Sequence, residues 1–438
     1  MKRLFYILTC CSLPLMAQAQ EVYTLKSCLE NGLQNNYSLR ITQNTEQISK
    51  NNATLGNAGY LPTLDLSAGY KGTIDNTESK LRETGEISKE NGVFDQALSV
   101  GANLNWTLFD GFNITTNYKR LKELERQGAT NTRIAIEDFV AGMAAEYYNF
   151  VQQKIRLKNF RYATSLSKER LRIVEERYHI GNFSRLDYQQ AKVDFNSDSA
   201  KYMKQQELLN TSRIRLNELM ANPEVDKRIR IKDSLIQVNT QLTFDELWNA
   251  TLATNAVLLK AEQNTRLAQL DYKSIQSRNY PYLKLNTGYG YTLNKYDISA
   301  NSRRSNLGFN GGLTLGFTIF DGNRRRERKN ADIAIKNSRL QQEELELTLR
   351  ADISNLWQAY RNNLEMLKLE RQNLVAAKEN YEIAMERYLL GNLSGIEMRE
   401  AQKSLLDAEE RILSAEYDTK LCEISLLQIS GNVLSYMQ

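Results

Sequence analysis

The chain has 438 residues, a formal net charge of +5, one histidine and a mean hydropathy of −0.53. The mild charge argues against a nucleic-acid-binding protein. After the first twenty residues, no stretch approaches the ~18 uncharged apolar residues of a membrane-spanning helix. The whole chain contains four prolines, which favours long uninterrupted helices.

The first element along the chain is a secretory signal peptide, predicted at residues 1–19. Two basic residues precede an apolar run, and the Ala-Gln-Ala motif at 17–19 favours cleavage before Gln20. Cleavage would lower the net charge from +5 to +3 (5 − 2 = 3). A lipoprotein signal at Cys10 or Cys11 is disfavoured, because the apolar run before either residue is short.

The mature chain carries few groups suited to catalysis. Cys28 and Cys422 remain after cleavage, and we interpret them as small core residues rather than as a disulfide framework. His179 is the one histidine, and the sequence has no nucleophile elbow, P-loop or metal-ligand cluster. We therefore expect no enzyme, no cofactor, no bound metal and no nucleic-acid partner.

The rest of the sequence is written as two similar halves. "NWTLFDG" from residue 105 corresponds to "GFTIFDG" from residue 316 (316 − 105 = 211). "ERYHIGNFSRLD" from residue 176 corresponds to "ERYLLGNLSGIE" from residue 386 (386 − 176 = 210). Such self-similarity at a nearly constant offset predicts an internal twofold repeat.

Each repeat is predicted to contain a helix, a β-hairpin, a long helix and a returning helix, in that order. In the first repeat, 20–220, these elements are expected at 24–59, 63–109, 113–180 and 184–220. In the second repeat, 243–438, they are expected at 243–278, 282–320, 323–390 and 394–435. The intervening residues 221–242 break the helical pattern and are predicted to be an equatorial linker.

Strict alternation of apolar and polar residues predicts four strands, two in each hairpin. The apolar series are Leu64, Leu66, Ala68, Tyr70; Leu98, Val100, Ala102, Leu104, Trp106, Leu108; Leu283, Leu285, Tyr289, Tyr291, Leu293; and Leu307, Phe309, Leu313, Leu315, Phe317, Ile319. A half-buried soluble sheet is one interpretation. Transmembrane β-strands are the favoured one, because each run is long enough to cross a bilayer and its other face is poor in large apolar residues. Long polar loops are expected within the hairpins, at about 72–96 and 294–306.

Four strands cannot close a membrane barrel, since the smallest bacterial barrels have about eight and open sheet edges do not occur in lipid. Membrane strands therefore imply an oligomer that shares one barrel. The strand count alone allows two copies or three.

The returning helices carry a heptad pattern typical of coiled coils. In the second repeat it comprises Met398, Leu405, Ile412, Thr419, Leu426 and Val433, with Ala401, Ala408, Ala415, Cys422 and Ile429 at the second core position. In the first repeat it comprises Tyr188, Phe195, Tyr202, Leu209 and Leu216.

A Gly-Asn pair separates the long helix from the returning helix in both repeats. Gly181 and Gly391 are expected in the left-handed conformation that ends a helix. Ser184 and Ser394 are expected to cap the helices that follow. Each pair is therefore predicted to form the tip of a helical hairpin.

These features together resemble the TolC-like outer membrane efflux protein family. The resemblance rests on the twofold repeat, the strand pair after each proline, the Phe-Asp-Gly joints and the Tyr-x-x-Gly-Asn-x-Ser motifs at Tyr178 and Tyr388, and it covers the whole mature chain. It implies a homotrimer with a 12-stranded barrel in the outer membrane of a Gram-negative bacterium. A long antiparallel α-helical coiled-coil barrel would extend into the periplasm.

The resemblance further implies a passive exit duct of a tripartite efflux or type I secretion system. Its hairpin tips would bind a periplasmic adaptor protein that is joined to an inner-membrane pump. The corresponding residues here are His179, Ile180, Gly181, Asn182, Phe183, Leu389, Leu390, Gly391, Asn392 and Leu393. Drugs, metal ions, peptides and toxin-like proteins are all compatible cargoes. The alternative function is a periplasmic coiled-coil adaptor or tether without a membrane barrel.

In the same family, acidic residues just past each glycine turn narrow the periplasmic entrance. The matching positions are Glu397 and Glu400 in the second repeat, and Asp187 and Gln190 in the first. In a trimer the two glutamates would form carboxylate rings, which favour cations at a constriction. The family member compared has aspartates where this chain has glutamates. The alternative is ordinary solvated helix charge, because Arg399 lies between the two glutamates.

Overall fold

The computed structural model describes residues 22–80, 82–299 and 301–437. The predicted signal peptide lies outside the described residues. Contacts divide the chain into two compact units. The first unit comprises residues up to 40, 135–255 and from 349 onward, and the second comprises 41–134 and 256–348. Each unit therefore combines segments of both predicted repeats.

Helices account for most of the described chain. In chain order the elements are β1 (Val22–Tyr23), α1 (Leu25–Asn35), α2 (Tyr37–Asn52), α3 (Leu55–Ala58), β2 (Thr63–Lys80), β3 (Ile87–Asp110), α4 (Asn113–His179), α5 (Arg185–Leu219), β4 (Arg230–Ile231), α6 (Phe244–Thr254), α7 (Ala256–Ser277), β5 (Tyr282–Lys295), β6 (Arg303–Gly316), α8 (Arg324–Leu389), α9 (Gly395–Ile429) and a final 3₁₀-helix (Val433–Met437). In the described part of the chain, none of the helices has the length and apolar character needed to cross a membrane.

The helix that opens each repeat is interrupted at an asparagine, so the continuous helices expected at 24–59 and 243–278 are wrong. Asn36 (ψ 123°) and Asn255 (ψ 119°) have extended backbones. Their side-chain amides donate to the last carbonyl of α5 at 3.2 Å and of α9 at 2.8 Å, respectively. Each break therefore supplies a hydrogen-bond donor to a helix C-terminus that would otherwise lack one.

Four antiparallel strands form one sheet in the order β2-β3-β5-β6. The register places Leu66 opposite Ala102, Val100 opposite Tyr291, and Tyr291 opposite Leu307. Directly opposed residues project from the same face of a sheet, so the alternating apolar residues lie on one face, as far as Leu315 in β6 and apart from Leu108 at the register shift of β3. Phe317 and Ile319, predicted in the same series, follow the end of β6. The period-two prediction of the strands is confirmed.

The hairpins differ from the prediction at their ends. Most of the polar segment expected to be a loop at 72–96 is strand, because β2 and β3 remain paired as far as Lys80 and Ile87. The second hairpin is shorter than the predicted 282–320, since β6 ends at Gly316. Its partner β5 begins directly after Pro281, which has no backbone N–H to continue the ladder.

The core of the first unit surrounds α4 near its middle. Met143, Tyr147 and Val151 are fully buried there, together with Cys28 and Leu29 of α1. Burial raises the pKa of the Cys28 thiol to about 12. Cys422 packs at the edge of a second apolar cluster, and both cysteines are free thiols, in agreement with their interpretation as core residues.

A buried ion pair fixes the C-terminal 3₁₀-helix and the linker. The ammonium of Lys420 lies 2.7 Å from Glu423 Oε1 and about 5 Å from the rings of Tyr148 and Tyr436 (4.9 and 5.1 Å). Glu423 also accepts from the hydroxyl of Tyr436 and from the N–H of Asn239, both at 2.8 Å. One carboxylate therefore joins α9, the linker and the C-terminus. The predicted returning helix, 394–435, is shorter than expected, because α9 ends at Ile429.

The two returning helices bury different kinds of residue. In α9, most of the predicted heptad positions are buried, including Met398, Ala401, Leu405, Ala408 and Leu426. In α5, the predicted aromatic positions are only half-buried, and the buried residues at heptad spacing are Ala191, Asp198, Gln205 and Ser212. The prediction for α5 is therefore confirmed only in part. Leu216 is buried, and Tyr188 and Leu209 pack against apolar clusters, but most of the buried side chains of α5 are polar.

Candidate functional site: the two helical hairpin tips

Both long helices end in the same backbone motif. Gly181 has φ +83° and Gly391 has φ +79°, the left-handed conformation that glycine adopts without strain. In the first tip, the N–H of Gly181 donates to the carbonyl of Tyr178 at 3.0 Å, and that of Asn182 to the carbonyl of Arg177 at 2.8 Å. The second tip has the equivalent bonds at 3.1 and 2.9 Å. These bonds define a Schellman motif, so the predicted turn is confirmed.

Both returning helices begin with the same capping box. The N–H of Ser184 donates to Asp187 at 3.1 Å, and the N–H of Asp187 donates to the hydroxyl oxygen of Ser184 at 3.2 Å. Ser394 and Glu397 exchange the same two bonds at 3.0 and 3.2 Å. Hydrogen bonds from the hydroxyl and the backbone of Ser394 lower the pKa of Glu397. The predicted serine caps are confirmed, and two of the predicted gate residues stabilise helix starts.

The predicted docking residues divide into an exposed set and a half-buried pair. Phe183 and Leu393 are half-buried, because they pack against the apolar cluster beneath the tips. The exposed set comprises His179, Ile180, Gly181, Asn182, Leu389, Leu390, Gly391 and Asn392. Two further residues extend the exposed set, and the sequence analysis missed them.

Leu186 and Ile396 occupy the same position in the first turn of the two returning helices and are 77 % and 78 % exposed. Six residues before them in the sequence lie Ile180 and Leu390, which are 71 % and 76 % exposed. The signal that could have found them is an apolar residue inside a capping box, where the first turn of a helix usually faces water. The first tip thus presents two large apolar side chains to its surroundings, and the second presents three, because Leu389 is also exposed.

Arg177 joins the first tip to the second. Its guanidinium donates to the carbonyl of Leu389 at 2.9 Å and to that of Tyr388 at 3.4 Å. It also lies 5.5 Å from the ring of Phe183 and 5.7 Å from the ring of Tyr388. The corresponding residue of the second repeat, Arg387, is exposed. The sequence does not reveal this contact, because the two tips are more than 200 residues apart.

Polar and charged side chains of three helices meet below the tips. Arg399 of α9 donates two hydrogen bonds to Asp198 of α5, at 2.7 and 2.9 Å, and the hydroxyl of Ser167 of α4 donates to the same carboxylate. Asp198 is 2 % exposed. Burial raises the pKa of Asp198, but the hydrogen bonds from Arg399 and Ser167 outweigh burial and lower it overall. Asp198 is therefore a buried carboxylate that stays ionised.

A cavity of about 390 Å³ separates the starts of the two returning helices. Three of the four predicted gate residues line it, namely Asp187, Gln190 and Glu400. Gln190 donates to Asp194 at 3.1 Å. Glu397 is exposed, does not line the cavity and is held by its serine cap. The structure thus brings three of the four predicted positions to one cavity and separates the fourth from them.

Comparison with known proteins agrees with this architecture. A sequence profile described as outer membrane efflux protein matches residues 28–222 and 247–432. The chain belongs to the outer membrane efflux protein family. It is 21 % identical to outer membrane protein TolC of Vibrio cholerae over 389 residues, which is 87 % of this chain and 84 % of that protein.

Solved structures of other proteins share the fold. A membrane protein from Pseudomonas aeruginosa superposes with a TM-score of 0.76 at 18 % identity, over 94 % of this chain and 91 % of that one. The outer membrane protein VceC of Vibrio cholerae superposes with a TM-score of 0.73 at 16 % identity, over 93 % and 96 % of the two chains. The Campylobacter jejuni CmeC outer membrane channel gives 0.75 at 16 % identity, over 93 % and 85 %.

Family membership settles the location and the general function. The protein lies in the outer membrane of a Gram-negative bacterium, extends into the periplasm and acts in efflux across that membrane. The family consists of channels and is not a family of enzymes. This location removes the alternative of a periplasmic tether without a membrane part.

Proposed function

We propose that three copies of this chain form a passive exit duct whose hairpin tips bind a periplasmic adaptor protein joined to an inner-membrane pump. The observation that carries the proposal is the repeated tip, in which the same turn and the same capping box present large apolar side chains twice per chain. The duct itself performs no catalysis, and the pump supplies the energy.

Assembly into an oligomer is supported by the edges of the sheet, and the number of three copies by membership of the outer membrane efflux protein family. In the part of the chain that the structure describes, β2 and β6 each pair on one side only. Edge strands in lipid would leave backbone N–H and C=O groups without partners, so neighbouring copies must complete the sheet. Three copies with four strands each give twelve strands. Native mass spectrometry in detergent should detect a trimer, and a monomeric particle would contradict this stoichiometry.

Docking at the tips is supported by their exposed apolar side chains. Burial of such a side chain contributes roughly 1.5–3 kcal/mol. Losing both Leu186 and Ile396 should therefore weaken adaptor binding by roughly 100-fold or more. The matched control replaces Val193 and Val375, which are also exposed apolar residues of α5 and α8 (60 % and 68 %) but lie away from the turns in the sequence.

The experiment introduces a photo-crosslinking amino acid at Asn182 in the native host. We expect a crosslink to a periplasmic adaptor, its loss when Leu186→Ser is combined with Ile396→Ser, and its retention in the matched control. A crosslink of unchanged yield in the tip variant would remove the docking role.

The turn itself provides a second test. Gly181→Asp places a side chain at φ +83°, and Gly391→Pro removes the N–H that donates to Tyr388 at 3.1 Å. Both changes should distort a tip without touching the sheet, so that export falls while trimers still assemble. Normal export in both variants would contradict the role of the tips.

The gate residues are supported by their position at the cavity between the returning helices. Asp187, Gln190 and Glu400 line that cavity. Arg170 and Arg399 also line it, but their guanidinium groups are paired with Asp194 and Asp198. The carboxylates of Asp187 and Glu400 would therefore favour cations. We assign Glu397 to the same gate because its side chain is exposed, although its carboxylate accepts a hydrogen bond from the hydroxyl of Ser394. Replacing Glu397 with Gln or with Ala separates the contribution of its charge from that of its cap.

A further inference from the structure

The first residues of α8 form a dense basic cluster. Residues 324–329 read RRRERK, with five basic residues and one acidic residue. We define the basic cluster as Arg324, Arg325, Arg326, Arg328 and Lys329. The equivalent residues of the first repeat, 113–118, read NITTNY and carry no charge. The basic cluster therefore occurs once per chain.

Nearby carboxylates do not neutralise the basic cluster. Glu327 is paired with Arg278 at 2.7 Å, and Asp332 is paired with Lys336 at 2.9 Å. Arg325, Arg326 and Lys329 are exposed, and within the residues that the structure describes they form no ion pair. Three positive charges thus face outward without a counter-charge from the described chain.

Part of the basic cluster surrounds an open cavity of about 510 Å³. Its basic and aromatic lining comprises Arg325, Arg328, Lys329 and Tyr272. Asp332 and Ile333 complete the lining, and the Asp332 carboxylate is the one that pairs with Lys336. Arg328 Nε donates to the hydroxyl oxygen of Tyr272 at 3.1 Å, which fixes one guanidinium at the cavity wall. Guanidinium and ammonium groups in this arrangement suit an anion such as a phosphate.

The basic cluster follows directly on the apolar face of the sheet. The outward row of β6 contains Leu307, Phe309, Leu313 and Leu315, which are 64–74 % exposed. The chain then continues through Phe317, Ile319 and Phe320, which are 55 %, 89 % and 86 % exposed. Only three residues separate Phe320 from the first arginine. An amphipathic ligand lying along this row would have its polar head beside the basic cluster.

We propose that the basic cluster binds the phosphate of an anionic phospholipid in the periplasmic leaflet of the outer membrane, with the acyl chains against the apolar row of β6. Acyl chains match the exposed apolar residues, and a phosphodiester matches the unneutralised arginines. Basic side chains next to a membrane-spanning segment attract anionic headgroups in this way. This inference rests on the membrane placement of the strands in the proposed function.

The test measures retention of dioleoylphosphatidylglycerol by the purified full-length protein, using native mass spectrometry in neutral detergent. Each basic side chain at an anionic surface contributes about fivefold to binding. Arg325→Gln, Arg326→Gln and Lys329→Gln together should therefore reduce retention by roughly 100-fold. The control variant replaces Lys368, Arg371 and Lys378 with Gln, which removes three exposed charges from the same helix.

We expect the control variant to retain the lipid like the unmodified protein, and dioleoylphosphatidylcholine to be retained weakly by both. Rising salt should release phosphatidylglycerol, because exposed charges are screened. A variant with Arg325→Lys and Arg326→Lys keeps the charge and should keep the lipid, which separates loss of binding from loss of folding.

Equal retention by the triple variant, equal loss in the control variant, or displacement of the lipid by inorganic phosphate at constant ionic strength would each overturn the proposal. Flotation with liposomes tests separately whether the protein inserts into membranes, which the lipid site requires. A protein that fails to float contradicts the proposed membrane function, whereas one that floats without preferring phosphatidylglycerol overturns only the lipid site.

Discussion

The buried pair of Arg399 and Asp198 offers the sharpest test of how the hairpins are held together. Arg399→Ala removes two donors, at 2.7 and 2.9 Å, from a carboxylate that is 2 % exposed. The serine hydroxyl that also binds Asp198 cannot replace a positive charge. The variant therefore leaves a buried anion between α5 and α9 whose remaining counter-charge is the exposed ammonium of Lys201, 4.0 Å away.

The expected cost follows from the burial of the two groups. Removing one partner of a buried ion pair costs about 3–5 kcal/mol. The side chain of Arg399 is 22 % exposed, which favours the lower end, about 3 kcal/mol. This corresponds to a shift of roughly 150-fold in the equilibrium between packed and separated helices. Replacing both partners, with Arg399→Met and Asp198→Leu, should be close to neutral, because it removes the charge and the cost of burying it together.

Hydrogen exchange followed by mass spectrometry measures this equilibrium at the starts of α5 and α9. We expect exchange there to accelerate by about 100-fold in Arg399→Ala and to remain near the unmodified rate in the double variant. Single-channel conductance in planar bilayers should rise in Arg399→Ala and stay near the unmodified value in the double variant. Unchanged exchange in Arg399→Ala would refute the reasoning, since the pair would then contribute nothing to holding the helices together.

The pKa of Asp198 gives this prediction a pH dependence. Because its folded pKa lies below the ordinary value, its contribution to stability is complete above the unfolded pKa of about 3.9. That contribution is lost as the pH falls through the lower folded pKa. Protection of α5 and α9, corrected for intrinsic exchange rates, should therefore stay constant from neutral pH to about pH 4 and decline below it. A decline that begins near pH 6 would indicate another titrating group.

Three further tests address local features, each through the thermal unfolding midpoint of the detergent-solubilised protein. Ala221 has φ +53° in the same type of turn as Gly431 (φ +68°). Ala221→Gly should therefore stabilise the folded protein by about 1 kcal/mol, and Gly431→Ala should destabilise it. A lower midpoint in Ala221→Gly and a higher one in Gly431→Ala would contradict backbone strain at Ala221. Glu397→Gln should keep the capping box and change only conductance, whereas Glu397→Ala should also lower the midpoint, because it removes the side chain that accepts from the N–H of Ser394; equal midpoints would remove the capping role. Glu423→Ala leaves Lys420, 5 % exposed, without its counter-ion and should cost about 3 kcal/mol or more, and an unchanged midpoint would show that the pair is dispensable.

The features that the sequence determined by itself are those made within a few residues of the chain. The left-handed turns at Gly181 and Gly391 depend on hydrogen bonds over three and five residues. The caps at Ser184 and Ser394 depend on a residue three positions ahead. The strands can be predicted from the alternation of apolar and polar residues, because side chains alternate between the two faces of a sheet whatever the partner strand is.

The features that only the tertiary structure decided have partners far apart in the sequence. Asp198 and Arg399 are separated by 201 residues, and neither shows its burial in the local pattern of a charged helix. The buried polar positions of α5 escaped the heptad analysis for the same reason, since a polar side chain is buried only where another helix satisfies its hydrogen bonds. Local backbone chemistry thus specified the turns, and the packing of distant helices specified which charges lie inside.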